Sequence, residues 1–490
     1  MRRSSYEPLV YALLLSAGVV FGLLWNKLVN KTALNPDTKI EQVMGLVESE
    51  YVDSIAKADI EEIAISELLS SFDPHSVYIP YQYVEAASQD LKGGFEGVGI
   101  EFFMFNDTPN VVRVLKDGPA MLSGLQAGDR LLSVDTLSLI GMTNTEIVRT
   151  IKGRKNTSFV GTIYRPATNE TITKKFERGT VKTPSVYTSL IDSVTLYVKV
   201  EHFAEKTHAE FVSQVKAHQK NHTIKYVVLD LRNNPGGYLQ TAVSLLNEFI
   251  DGNELLAFTQ SKTGKNREYR SKKGGVCGKM DLVCLVNNRS ASASEIVSGA
   301  IQDLDRGVVI GSRTYGKGLV QETFQLKDGS QIRLTISRYY IPSGRSIQKP
   351  YDDNGYQELD SNSLTKIGKI YNTKNGREVK SEGGISPDII LEQETYEAYT
   401  KVSEYAAVLI DTYVSTWSTM SPKDWSSSNS INQTIKTYVK DSTTYLNPVK
   451  NRLVYQLFGI EQAYAQNVHS DQAVQRALQE LRKPTISLNP

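Results

Sequence analysis

The sequence predicts a multidomain α+β chain: an N-terminal anchor helix and helical segment, a small β-domain, an α/β core and a helical C-terminal extension. Three observations carry this reading. The chain has 490 residues, a length that points to about three domains rather than one core. Apolar spacing changes along it, from three- and four-residue intervals to short β-type runs between glycine turns near residue 93, and back to helical spacing after residue 390. Between residues 184 and 390 strand-like and helix-like stretches alternate, as in a layered α/β core. Lys plus Arg number 55 against 54 Asp plus Glu, a formal charge of +1. That balance excludes the basic footprint of a nucleic-acid or polyanion binder. A composition 40% hydrophobic and 22% charged is that of a folded globular protein.

Residues 1–30 hold "PLVYALLLSAGVVFGLLW", uncharged from Pro8 to Trp25 and preceded by Arg2 and Arg3. This length is near the lower limit for a spanning helix and long for a signal-peptide core. No small-x-small cleavage site follows, so an uncleaved membrane anchor is expected, with a cleaved signal peptide as the alternative. The basic start places the N-terminus in the cytoplasm, against the opposing signal of Lys27 and Lys31. The expected location is therefore the cell envelope, anchored in the inner membrane with the remainder periplasmic. Cys277 and Cys284 can pair in an exported chain. Against that, Cys284 lies in "DLVCLVN", which reads as a buried strand, and neither cysteine has metal-site spacing.

Residues 31–92 read as helical, with "IEQVMGLVESEYV" and "ADIEEIAISELLSSF" ending at the Asp73-Pro74 stop. His75, a turn residue beside proline, reads as structural. Residues 93–180 form the β-domain, whose longer helix "TNTEIVRTIKG" takes Thr143 or Asn144 as its cap. In residues 181–390, "SVTLYVKVEHF", "IKYVVLDLRNNPGG" and "DLVCLVNN" read as strands. "KTHAEFVSQVKAHQ", "LQTAVSLLNEFI" and "SEIVSGAIQDL" read as helices. Sites in such cores gather where strand ends meet helix starts, which makes Asn233–Gly237 and Ser290–Ser294 natural partners. Residues 391–490 read as a helical extension, with "TYEAYTKVSEYAAVLIDTYV" its clearest amphipathic helix and "SPKDWSSSNSINQ" low in complexity.

Ser292-Ala293-Ser294-Glu295 fits a capping box at a helix start, which by itself needs no catalytic role. The two roles are compatible: a serine there gains from the helix dipole, and the next amides can face a developing oxyanion. None of the six histidines stands in a glycine-rich turn that would present a base. Lys317 does, between Gly316 and Gly318 and directly before a strand. Burial would keep its amine neutral, as a base requires, and Gln321, on the same face of an extended segment, would orient it without adding charge. The bland reading of Lys317 is a solvated loop lysine.

The order "GVGI…GPA…SGLQAGDRLLSVD…EIVRTIKG" resembles a PDZ domain, with Gly97, Val98, Gly99 and Ile100 in the place of the carboxylate-binding loop. "SASASEI", the spacing from Ser292 to Lys317, Gln321, "LDLRNNPGG", "GGISPDI" and "FDPHSVYIP" resemble the carboxy-terminal processing peptidases, also called tail-specific proteases. The resemblance spans about residues 40–390. It implies a PDZ domain ahead of a Ser-Lys peptidase core related to crotonase and Clp-protease folds. Matched by position, Ser292 is the nucleophile, Lys317 the general base and Gln321 its orienter. Ser290 and Ser294 become loop and capping residues. Oxyanion donors would be the amides of Ala293 and of a glycine in Gly236-Gly237, with Pro235 standing where the family often has glycine. The implied enzyme cuts protein or peptide substrates with free C-termini through an acyl-enzyme, without metal or other cofactor. The flanking helical segments imply self-association or an activating adaptor. Two rivals are a non-catalytic, membrane-tethered PDZ adaptor and a crotonase-type acyl-CoA enzyme.

Overall fold

A computed structural model describes residues 7–31, 38–115, 118–166, 168–352, 355–356, 368–381, 383–391, 401–402, 405–406, 409, 420–440 and 443–483. Its centre is a six-stranded sheet in the order Val186–Leu190, Thr195–Val200, Tyr226–Asp230, Asp281–Val286, Val308–Gly311 and Ile389–Ile390. The first pair is antiparallel and the others are parallel. The strands are continuous apolar runs because both faces are covered. Leu196, Val198, Val227, Leu229, Leu282 and Cys284 share one core with helices Thr207–Gln219, Leu239–Leu246 and Ala293–Asp303. Tyr197, Val228, Val283, Leu285 and Ile310, one residue out of phase, pack against Val468, Val474, Ala477 and Leu481.

The second face is thus covered by helix Gln472–Leu481 from the C-terminal extension. Asp471 caps that helix through the amides of Ala473 and Val474 and accepts Nη2 of Arg232 at 2.8 Å. Tyr464 donates its hydroxyl to Glu201. The low-complexity stretch folds as two helices, Pro422–Ser427 and Asn429–Tyr438, capped by Ser421 and Ser428 around a fully buried Trp425. Two of its serines, Ser421 and Ser428, are there as the caps that helix starts favour. The amphipathic helix expected over 395–414 lies largely outside the described residues.

A second sheet stands beside the first, in the order Val77–Ile79, Gln331–Tyr340, Leu255–Ser261 and Asn266–Arg270, with Leu319–Gln325 also pairing with Gln331–Tyr340. The 31–92 segment is therefore not wholly helical. Asp73 accepts the amides of His75 and Ser76, both at 2.8 Å, and the chain turns into strand Val77–Ile79. Asp-Pro signals the stop, but three residues are too few for a period-2 pattern to be seen.

The β-domain orders its strands Ile100–Phe105, Thr108–Val114, Arg130–Val134, Ser158–Arg165 and Glu170–Glu177, which leaves Ile100–Phe105 at an edge. Its helix Asn144–Ile151 is capped by Thr143, with Glu146 completing the box. Strands Gly94–Gly97 and Gly179–Lys182 pair at the neck that joins it to the core.

Cys277 and Cys284 are both free and buried in the same core, with no disulfide between them. Burial pushes the Cys277 thiol up to about 12. The apolar N-terminal run is helical over Glu7–Lys31. Among the described residues no helix is long and apolar enough to cross a membrane.

Candidate active site

Strand Asp281–Val286 delivers the chain to Ser292, which caps helix Ala293–Asp303 with φ 55° and ψ −113°. A side chain in this sparsely populated region costs about 1–3 kcal/mol and persists only where its surroundings fix it. Several groups do so. The Ser292 amide donates to Glu295 Oε2 at 2.8 Å. Ser290 donates its hydroxyl to the Leu231 carbonyl at 2.8 Å, and Ser294 donates to that of Asn234 at 3.0 Å. Ser294 is thus not a cap. Both flanking serines tie the Ser292 turn to the glycine loop that ends the neighbouring strand, Tyr226–Asp230.

That loop, Asn233–Gly237, lies against Ser292 as the strand-end argument predicts. A Cβ on Gly236 would meet the Ala291 carbonyl at 2.8 Å, Ser292 Cβ at 2.9 Å and the Ala293 nitrogen at 3.1 Å. Gly237 has φ +140°, and a Cβ there would lie 2.3 Å from the Phe203 carbonyl oxygen. Only glycine fits either place. The Gly236 amide is already given to Asn234 Oδ1 at 2.8 Å. Among the described residues the amides of Gly237 and Ala293 donate to no protein group.

Below the loop sits a charged cluster that sequence reasoning missed. Buried Asp230 accepts the Tyr197 hydroxyl at 2.7 Å and Nη2 of Arg232 at 2.6 Å. Lys199 lies 3.7 Å from Asp230 and donates to the Arg232 carbonyl. Burial works against the Asp230 carboxylate, but Arg232 and Lys199 outweigh it and hold its pKa below the usual range. A charge pair in "LDLR" was the available signal.

Lys317 enters on the loop before strand Leu319–Gln325. Its Nζ donates to Gln321 Oε1 at 3.0 Å, and Gln321 Nε2 donates to the His75 carbonyl. The N-terminal strand thereby fixes which end of the amide faces the lysine. Burial first, then Arg333, push the Lys317 amine below its ordinary range, against the pull of Asp73 and Glu295. Burial and Lys317 together take the His75 imidazole down to about 4, against Asp73. His75 serves through its backbone, consistent with a structural reading of its side chain.

Glu295 does far more than cap. Wholly buried, it accepts the Thr314 hydroxyl at 2.6 Å and the Gly316 amide at 2.7 Å on one oxygen. The other takes the amides of Ser292 at 2.8 Å and Lys317 at 2.9 Å. One carboxylate therefore spans the turns carrying both residues. Burial pushes it up to about 7 in spite of these donors. Among the described residues no cluster of three His, Cys, Asp or Glu is placed to hold a metal ion.

In the β-domain, Gly97 ends its strand, Val98 is buried, Gly99 has φ +81° and Ile100 opens the edge strand. These four residues form the turn at the mouth of the edge, remote in sequence from Ser292.

The layered core and the small β-domain ahead of it are each identified by comparison with known proteins. Residues 194–355 match Peptidase family S41, and residues 111–165 match a PDZ domain family. The chain is 34% identical over 305 residues to a carboxy-terminal-processing protease of Bartonella bacilliformis, covering 62% of this chain and 70% of that one. It is 32% identical over 352 residues to a probable CtpA-like serine protease of Staphylococcus aureus (strain bovine RF122 / ET3-1), 70% of each chain. With the carboxy-terminal processing protease CtpB of Bacillus subtilis it shares 31% over 319 residues, 64% of this chain and 65% of that one. The chain belongs to peptidase family S41, among the carboxy-terminal processing serine proteases. The adaptor and acyl-CoA alternatives give way to this assignment.

Proposed function

We propose that this protease cuts proteins near their C-terminal tails by a Ser-Lys acyl-enzyme mechanism, with Ser292 as nucleophile and Lys317 as general base. The observation that carries it is the Lys317 amine: desolvated, bonded to the uncharged Gln321, and set in a loop that Glu295 joins to the Ser292 turn. Neutral Lys317 takes the Ser292 proton as Oγ attacks the scissile carbonyl. The amides of Ala293 and Gly237 receive the oxyanion; Gly236, its N–H engaged by Asn234, supplies the close approach instead. The lysine ammonium returns the proton to the leaving amine, and water then repeats the cycle on the ester.

Tail recognition falls to the PDZ domain. A substrate's final residues add to the edge strand Ile100–Phe105, with their carboxylate at the Gly97–Ile100 turn. We further propose that residues 8–25 anchor the chain in the inner membrane, leaving the protease in the periplasm; the motive is the uncharged sequence from Pro8 to Trp25. Fractionation of cells expressing the full chain tests it, and recovery in the soluble fraction without processing sinks it. The mechanism is tested by incubating wild type, Ser292→Ala and Lys317→Ala with a protein bearing an apolar tail. Cleavage by wild type alone is expected, and equal cleavage by either variant refutes the dyad. Loss of tail preference on changing Gly99 to a bulkier residue tests the PDZ role.

A further inference from the structure

We infer that Tyr339 is a positioning residue whose hydroxyl holds the backbone of the base Lys317 against that of the nucleophile Ser292. Tyr339 is 1% exposed, in strand Gln331–Tyr340 of the second sheet. Its hydroxyl gives its one proton to the Lys317 carbonyl, the nearer acceptor, and lies 3.0 Å from the Ser292 carbonyl as the alternative acceptor. Its own amide donates to the Gly318 carbonyl at 3.0 Å, so the residue grips the Lys317 loop from backbone and side chain together. Ser292 belongs to the first sheet's helix and Tyr339 to the second sheet, which places this hydroxyl at the seam between them.

The two carbonyls do not depend on it equally. That of Ser292 already accepts the amides of Glu295 at 2.8 Å and Ile296 at 3.0 Å, the first bonds of the helix. Lys317 lies in a loop, with no such ladder behind its carbonyl. Glu295 holds the amides of the same two residues. The carboxylate grips both N–H groups, the phenol's single O–H grips the Lys317 carbonyl beside that of Ser292, and between them two residues 25 positions apart keep one spacing. Without the hydroxyl the Lys317 loop is the part that moves. The amine then drifts from Ser292 and toward water, which slows proton transfer and stabilises the ammonium.

This rests on the Ser-Lys reading above, and the experiment separates the two. Wild type, Ser292→Ala, Lys317→Ala, Tyr339→Phe and Tyr340→Phe are assayed on one tailed protein substrate across pH, with active sites counted by a serine-directed fluorophosphonate. Tyr340, whose ring stacks on Phe258 at 4.9 Å, is the neighbouring control. Tyr339→Phe is expected to lower kcat per titrated site about tenfold or more, with KM kept within about twofold, and to move the acid limb to higher pH. Tyr340→Phe should do neither. A wild-type kcat and limb in Tyr339→Phe overturn the inference while leaving the dyad standing. Undiminished cleavage by Ser292→Ala and Lys317→Ala overturns the dyad itself. Should Tyr339→Phe not fold, 4-fluorophenylalanine at 339 keeps the ring and fills the hydroxyl's place with a fluorine that cannot donate, and a wild-type kcat and acid limb there refute the role.

Discussion

Gln321→Glu puts the base assignment at greatest risk. The substitution keeps the shape of the side chain but places a carboxylate where a neutral amide oxygen now lies, 3.0 Å from Lys317 Nζ. At that distance and an effective dielectric near 20, the attraction favours the ammonium by about 5 kcal/mol, or roughly four decades in the protonation equilibrium. Lys317 is only half-buried, and water and salt reduce this to about two decades. The acid limb of kcat/KM should therefore move up by about two pH units, with a loss of about 100-fold at neutral pH that is recovered as pH rises. Gln321→Met controls for the other consequence of the change, loss of the amide bond to the His75 carbonyl. It should lower activity without a comparable shift of the limb. The assay is a pH–rate profile on a tailed protein substrate. An acid limb that stays in place in Gln321→Glu, or a loss that alkaline pH does not restore, would falsify Lys317 as the base.

Three further changes read other parts of the site. Gly237→Ala drives a methyl into the Phe203 carbonyl at 2.3 Å and displaces the loop; kcat should fall by about 100-fold or more with near-native circular dichroism, and full activity would remove this loop from the chemistry. Glu295→Gln leaves at least one of four buried donors facing an NH₂ group, costing about 1–3 kcal/mol in denaturant unfolding. Because burial raises Glu295 from 4.5 to about 7, its titration stabilises the fold fully below 4.5 and that contribution is lost as pH rises through 7; the variant's stability should decline less across that window. Asp471→Ala removes a helix cap and one carboxylate from Arg232, so it should cost about 1–2 kcal/mol of stability while kcat per titrated site is unchanged. A tenfold fall in kcat there would instead tie the C-terminal helix to the chemistry.

The core was legible because its strands are long unbroken apolar runs ending in small-residue turns, and the turns at Asn233–Gly237 and Ser290–Ser294 do lie together. Lys317 and Gln321 were singled out by a local pattern of glycines and spacing, and their side chains do meet. What escaped the sequence depends on contacts between distant segments. Glu295 read as a cap because Ser292 is three residues away, whereas Thr314 and Lys317 approach it only in the fold. Tyr339 is one tyrosine among 26 and carries no local mark. Val77–Ile79 is too short to show a period and is a strand only because Gln331–Arg333 offers it an edge. The C-terminal helix looked detached because the central strands it packs on, Tyr226–Asp230, Asp281–Val286 and Val308–Gly311, lie more than 150 residues upstream, and its apolar stripe names no receiver.

That helix bears on how the enzyme is made. The sheet presenting Ser292 has one greasy face until Val474, Ala477 and Leu481 are in place. On the ribosome those residues follow Lys317 only after a delay on the order of ten seconds. Throughout that interval every residue of the dyad has been synthesised while the platform beneath it is unfinished. The C-terminal helix is therefore the closing piece of the core, and the platform under the Ser292 turn is complete only once it has docked.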